Sequence, residues 1–310
     1  MGTAGETETE ETLASLRQHY IVRNLRAGLG RILGKKATLI PFLYLSTIVF
    51  LGIVGPSIAP YDYSATLYGP DGEILRTQGA SLAHPLGTTD LGQDVLSRVI
   101  VGARPTAITA VVGGGMIMTI GMTIGVASGY VGGWVDEVLM RFTDMAFSVP
   151  LIPFAIVLLA FLGVGFFSSI IVIGLLLWRS TARVLRAQVL QIRERPFVKA
   201  AKASGASTPR IIVKHVIPNI APMAFLFFAM GMGWAVILQA GLAFIGVSDP
   251  FVPSWGIIIR NAYGSGYVAD QSLWALAPGL LISSTVLSAF LLGREFEADA
   301  DRAIAGGAGE

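Results

Sequence analysis

Five stretches of this chain, residues 37–61, 105–135, 145–178, 216–248 and 271–293, contain no Asp, Glu, Lys or Arg. The shortest of them is 23 residues long. A helix needs about 20 mainly apolar residues to cross a hydrocarbon core of about 30 Å, and one charge at its centre costs about 2.5–3.5 kcal/mol on insertion scales. The stretches therefore constrain the chain to a bundle of membrane-spanning helices. Composition agrees. Only 14% of residues are charged and 53% are hydrophobic, whereas a soluble domain carries about 25% charged residues. High hydrophobicity with a net charge of only +2 also excludes a disordered chain.

Four stretches each hold one span. The stretch 145–178 is long enough for two short ones, with a turn at Gly163-Val164-Gly165-Phe166-Phe167-Ser168-Ser169. The expectation is an all-α integral membrane protein with six helices at about 37–59, 106–128, 138–162, 168–185, 219–247 and 272–293. Residues 1–36 are polar, with Glu6, Glu8, Glu10 and Glu11 near the start. A cleaved signal begins basic and turns apolar at once, so the first span reads as a retained helix behind a solvated tail.

Charge in the loops sets the orientation. Residues 17–36 hold six basic side chains and no acidic one, residues 62–104 three basic and five acidic, and residues 179–214 nine basic and one acidic. Lys and Arg accumulate on the cytoplasmic side. The N-terminal tail 1–36, the segment 179–214 and the tail 294–310 are thus expected inside, and the loop 60–104 outside.

The apolar interiors exclude most coupled chemistry. Pumps and secondary transporters place titratable groups inside the bilayer, and these stretches have none. Arg141 and Asp144 stand three apart at the start of the third helix and are expected to form an interfacial ion pair. Gln239 is the one amide deep in a span; it either links helices or lines a pathway. His19, His84 and His215 lie outside the spans, and no H-E-x-x-H motif occurs. Gly34-Lys35 fails as a phosphate-binding loop, because Leu29 replaces its first glycine and Lys36 its Ser or Thr. With no cysteine, thiol nucleophiles and thiolate metal sites are also excluded. An intramembrane enzyme has no nucleophile–base constellation to rest on, although Ser283 and Ser284 are polar. Gly121, Gly125 and Gly129 form two G-x-x-x-G steps, a close-packing signal in lipid. Arg179, Arg183, Arg186 and Arg193 read as anchors to anionic headgroups.

The segment from Pro196 to Asn219 is the informative one. Pro196 suits a first helical turn, and residues 199–204 are mostly helix formers. Gly205 is a natural stop. Thr208 suits a cap for a second short helix, with Pro209 at its first position, and Pro218 marks the start of the fifth span. A short helix, a turn and a second short helix should lie across the cytoplasmic face.

Here the residues resemble a known family. The cytoplasmic motif E-A-A-x-x-x-G-x9-I-x-L-P of binding-protein-dependent ABC importer permeases reads here Lys199-Ala200-Ala201, then Gly205, then His215, Ile217 and Pro218, with the Ala-Ala, Gly and Pro in register and Ile217 in place of Leu. Lys199 stands where the family has Glu. His215 with Pro218-Asn219 is similar to the R-H-I-L-P-N variant of the dipeptide, oligopeptide and nickel branch. The run from His84 to Arg98 resembles that branch's H-P-L-G-T-D-x-L-G-R-D-V-L-S-R, with Thr89 for Asp and Gln93 for Arg. Gly129–Glu137 and Pro253-Ser254-Trp255-Gly256 resemble two further family segments. The long first outer loop favours the second, C-type permease of a heterodimer.

The resemblance implies the six-helix type I importer permease fold, with the permease domain at 105–293 and a coupling loop at 186–218. It implies a subunit that is no enzyme, binds no cofactor itself and relies on ATP and magnesium held by partner subunits. The implied partners are a B-type permease, two ABC ATPase subunits, an extracytoplasmic substrate-binding protein and membrane lipid, without nucleic acid. Docking to the ATPase falls to Lys199, Ala200, Ala201, Lys202, Ser204, Gly205, Ala206 and Ser207, with Gln239 a pathway candidate. The expected substrate is a di- or oligopeptide; nickel chelates, glutathione and oligosaccharides are alternatives within the branch. The contrasting expectation is a membrane scaffold whose basic loop binds anionic lipid or nucleic acid, with the steep salt dependence of counterion release.

Overall fold

The computed structural model describes residues 36–306, with side chains from 38 to 295. Among the described residues the chain is helical throughout its apolar stretches, with two isolated β-bridges, Tyr68 to Ile74 and Thr88 to Asp94, and no strand. The helices are α1 (Lys36–Ile58), α2 (Val95–Ile108), α3 (Gly114–Val131), α4 (Gly133–Ser148), α5 (Leu151–Leu162) and α6 (Phe166–Arg193). They continue as α7 (Pro196–Ala203), α8 (Thr208–Ile211), α9 (Ile217–Ile245), α10 (Trp255–Ser265) and α11 (Ser272–Gly306). A π-helical turn at Thr109–Gly113 joins α2 to α3, and another at Ile212–Val216 joins α8 to α9. Five continuous helices are long and apolar enough to cross a membrane, and a sixth if α4 and α5 are counted together.

Four boundaries differ from expectation for local reasons. The third span, expected unbroken over 138–162, bends by 98° between α4 and α5. Pro150 has no N–H and pushes the residue before it out of the helical region; Val149 is extended at φ −85°, ψ 126°. The second span begins eleven residues early, at Val95, because the Asp94 carboxylate caps it by accepting from the Ser97 amide (2.7 Å). The fourth runs past 185 to Arg193, so residues 186–193 of the expected basic loop are a helical stalk. The last continues to Gly306, through most of the expected tail. The tail expected at 1–36 lies outside the described residues apart from Lys36.

Glycines determine how the spans meet. A Cβ on Gly121 would stand 2.6 Å from Thr181 Cβ, one on Gly125 2.7 Å from the Ala182 carbonyl, and one on Gly129 2.8 Å from the Arg186 carbonyl. The two positions climb together, so α3 and α6 run parallel at backbone contact, as the G-x-x-x-G spacing suggests. Gly113 meets Ala235, Gly114 of α3 meets Met232, and Ile117 meets Gly231, descending α9 as the chain climbs, so α3 and α9 are antiparallel. Gly52 and Gly55 of α1 lie on Arg104 and Ile100. Lipid offers no hydrophobic drive for helices to associate, so such close van der Waals approach is what holds them.

The basic side chains of α6 face α4 and the end of α3. Arg186 donates twice to Asp136, Nε to Oδ1 and Nη2 to Oδ2, both at 2.6 Å. The Asp136 carboxylate also accepts from Ser128 Oγ. Arg183 donates to Asp144 at 2.6 Å and lies over the Phe147 ring, Arg179 donates to the Ala146 carbonyl, and Arg193 reaches the carbonyls of Gly129 and Tyr130. These four arginines thus tie helices together, a role the sequence did not indicate. The expected Arg141–Asp144 pair does not form: Arg141 pairs with Glu137 one turn back, and Asp144 with Arg183.

Gly125→Val should destabilise the detergent-solubilised protein by about 1–3 kcal/mol, the usual effect of overpacking, because the obstructing atom is a backbone carbonyl. An unchanged melting temperature would refute the seam. Arg186→Gln, which strips a bidentate partner from a carboxylate only 20% exposed, should cost roughly 1–3 kcal/mol. Arg183→Gln, with its side chain 53% exposed, should cost less than about 1 kcal/mol. The two melting curves measured side by side check the ranking.

Candidate functional site

The eight residues expected to dock a partner form one elbow at the end of the bundle where α6 stops and α9 begins. Pro196 opens α7 at its first position, where a missing N–H costs nothing. The far end closes with a Schellman motif: the Ala206 amide bonds the Ala201 carbonyl (3.1 Å), and the Gly205 amide bonds the Lys202 carbonyl (3.0 Å). That geometry needs a left-handed residue, and Gly205 supplies it at φ +80°. Ser204 Oγ adds a bond to the Ala200 carbonyl at 2.9 Å. The next helix differs from expectation by one residue. Ser207, not Thr208, holds the extended cap position, at φ −66° and ψ 150°, and Thr208 and Pro209 lie inside the first turn of α8. Nor is α8 a separate element: through its π turn and Pro218 it runs on into α9 as one helix from Thr208 to Ile245.

The elbow is clamped from beneath. Val198 of α7 and Ile211 of α8 are buried in an apolar cluster with Val126 of α3, Val189 of α6, and Val216 and Ile220 at the base of α9. Ala201 and Ala206, the two residues whose backbones close the Schellman motif, pack against the same cluster. Lys199, Ala200, Lys202, Ser204, Gly205 and Ser207 face outward. Six of the eight expected residues are therefore presented and two hold the element down.

Lys199 Nζ donates to Glu194 Oε2 at 3.0 Å, with Arg193 Nε 3.6 Å from the other carboxylate oxygen. The hydrogen bond from Lys199, then the charges of Lys199 and Arg193, hold the Glu194 carboxylate below its ordinary range. A groove of about 620 Å³ runs beside this pair, between Tyr130 and Val131 at the end of α3 and Lys199 and Lys202 of α7. Sequence reasoning missed the pair, although an acid five residues before a lysine across the Pro196 helix start was a readable cue. Gln239 stands apart, more than 20 residues along α9 from the elbow. It is buried, and its amide donates to Ser254 Oγ at 3.4 Å; the same hydroxyl accepts from the Ile257 amide at the start of α10.

The loop that precedes α2 is built on the other recognised motif. Asp94, fully buried, accepts from the Ser97 amide and hydroxyl through one oxygen, and its other oxygen lies 3.0 Å from His84 Nδ1. Tyr61 lies 5.0 Å from the His84 ring, and its amide donates to Ser97 Oγ. Gly87 and Gly92 supply the positive φ of the two turns between, at +79° and +71°. Histidine and carboxylate ten residues apart thus fasten the loop to the start of α2.

Comparison with known proteins shows the family. Residues 121–300 match the family model described as binding-protein-dependent transport system inner membrane component. A protein of Brucella suis biovar 1 named as a peptide permease is 32% identical over 85% of this chain and 86% of its own length. The glutathione transport system permease protein GsiD of Pectobacterium atrosepticum is 29% identical over 91% of this chain and 92% of its own. GsiD of Escherichia coli O6:K15:H31 is 32% identical over 81% of each. With the matching model covering more than half of its length, the chain belongs to the binding-protein-dependent inner membrane transport components, as a multi-pass permease subunit of an ATP-driven importer.

Proposed function

We propose that this subunit forms half of a translocation pathway for di- or oligopeptides, and that the elbow α7–turn–α8 is where separate ATPase subunits push on it. The observation that carries the reading is the combination of an outward face of small and basic residues with an inward face locked into α3, α6 and α9. A docking element that transmits force must be exposed to its partner and immobile relative to the spans; this one is both. From Thr208 to Ile245 the helix is continuous, about 57 Å at 1.5 Å per residue. Motion at the elbow thus travels the length of the bundle. Rigid-body rocking of this kind is the general form of alternating access.

The assignment places Lys199, Ala200, Lys202, Ser204, Gly205 and Ser207 at the ATPase, with Ala201 and Ala206 as the seat. It leaves ATP and magnesium to those ATPase subunits, and this chain is a non-catalytic subunit without a cofactor of its own. The second permease would be of B type, and an extracytoplasmic binding protein would deliver substrate. The elbow and the N-terminus lie on the cytoplasmic side, in keeping with nine basic residues among 179–214. Relatives named for peptide and for glutathione, itself a tripeptide, support the substrate class. Pairing of Arg179, Arg183 and Arg186 with α4 and of Arg193 with the end of α3 engages four of the nine basic residues of 179–214 that a lipid or nucleic-acid scaffold would use.

Gly205→Val should abolish ATP-driven uptake, or reduce it at least tenfold, in proteoliposomes holding the assembled importer, while the chain remains membrane-inserted and ATP hydrolysis continues. A β-branched residue at φ +80° breaks the Schellman turn without touching a neighbour, since nothing lies within 4 Å of the Cβ position. Normal uptake by that variant would remove the elbow from the coupling path. Co-purification with the ATPase subunits should survive about 0.5 M salt, where exposed charges are heavily screened; loss of the complex at that salt would favour the scaffold.

A further inference from the structure

At the end of the bundle away from the elbow, a pocket of about 380 Å³ lies between the loop before α2 and the helices α10 and α11. Its walls include Asp90 and Gln93 of the loop, Arg98 of α2, Arg260 and Asn261 of α10, and Trp274 of α11. Two of these side chains are more than nine-tenths buried and each has an N–H without an acceptor among the described residues. They are Arg98, 7% exposed, through Nε, and Trp274, 1% exposed, through its indole nitrogen. The rest of the Arg98 head is held in place: Nη1 donates to the Tyr63 carbonyl at 3.3 Å and to Gln93 Oε1. The Arg260 guanidinium lies against Gly246, 2.9 Å from where a Cβ would sit, and makes no ion pair among the described residues.

A buried donor left unpaired costs about 1–3 kcal/mol, and here two such donors and two guanidinium groups border one cavity. Both donors are closed off inside the wall; what the lining itself carries is Arg98 and Arg260 against Asp90, an excess of one positive charge that an anion would balance. We propose that this pocket receives the carboxylate of a small zwitterionic solute. A carboxylate is planar and accepts two N–H bonds side by side, the arrangement a guanidinium favours. Asp90 lines the same pocket and gives an ammonium group an anionic neighbour. The depth of Arg98 favours a small solute over a side chain of a docking protein, which would have to thread a loop past the exposed Arg260 and Asn261. The choice of a peptide as that solute rests on the transport reading above; the carboxylate site does not.

The test uses the assembled importer, with this chain full length, in lipid nanodiscs and without its binding protein. Tryptophan fluorescence is followed on titration with acetate, with Ala-Ala and with Ala-Ala amide, and Trp274→Phe identifies the signal that belongs to the pocket. Acetate and Ala-Ala should both give a Trp274-dependent change, and the amide should bind at least tenfold more weakly than the acid. Arg260→Ala, an exposed side chain without an ion pair, should weaken Ala-Ala at least tenfold with an unchanged melting temperature. Arg98→Lys keeps the charge without the planar guanidinium and should weaken it as well. Equal binding of acid and amide, or full affinity in Arg260→Ala, overturns the site, as does the absence of any Trp274-dependent change. A response to acetate without one to Ala-Ala upholds the carboxylate site and counts against peptides as the cargo.

Discussion

The parallel seam between α3 and α6 is the constraint from which most of the architecture follows. Three glycines at four-residue intervals bring one helix against the carbonyls and Cβ atoms of the other from Thr181 to Val189. Parallel neighbours cannot be joined by a tight turn. The chain must leave the end of α3, return to the start of α6 and do so within the residues that remain, and α4 and α5 are that return path. That path is divided at Val149-Pro150. α4 stays at the elbow end beside the stalk of α6, and α5 climbs away at 98° to pack Ala155 and Leu159 among Val172, Ile173 and Leu176.

Electrostatics finishes what the glycines begin. The α6 stalk carries four arginines past the apolar part of the bundle, where unpaired charge would be expensive, and α4 supplies two carboxylates and a carbonyl within reach. The Arg186–Asp136 pair is the best buried, with Ser128 filling a further acceptor site on the carboxylate. Arg183 and Asp144 remain mostly in solvent and contribute alignment more than stability. Because the stalk is fixed in this way, the chain reaches Arg195 in a defined position, and Pro196 starts α7 on a rigid base.

What was legible in the sequence was what depends on local chemistry. Charge-free runs marked the spans, G-x-x-x-G marked the seam, and Pro196, Gly205 and Pro218 marked the start, stop and resumption of helix around the elbow. What was not legible depends on which elements become neighbours. Arg141 and Asp144 share a helix face, and nothing local says that Asp144 instead meets an arginine 39 residues on. The nine basic residues of 179–214 read as one segment, although the first four of them belong to the stalk of α6. Pro150 was a local cue to the broken span, outweighed by the unbroken apolarity around it. Likewise the His84–Asp94 contact and the pocket at Arg98 arise only when loop, α2, α10 and α11 are brought together.

The two ends of the molecule are joined by one helix. At its base, Val216 and Ile220 share the cluster that holds Val198 and Ile211 of the elbow. At its other end, Gln239 bonds Ser254, the capping residue of α10, and Gly246 carries the Arg260 guanidinium on its backbone. A displacement of the elbow therefore bears directly on α10, where Arg260 and Asn261 form one wall of the pocket. Arg98 and Trp274 stand on the opposite side, tied to α2 and α11. Yet α10 is packed to the same neighbours: Trp255, Ile258 and Ala262 share one apolar cluster with Val95, Val99 and Ala103 of α2 and Trp274 of α11, and the Trp255 indole donates to the Val99 carbonyl, so the walls of the pocket form one packed unit that meets α9 at Gln239 and Gly246.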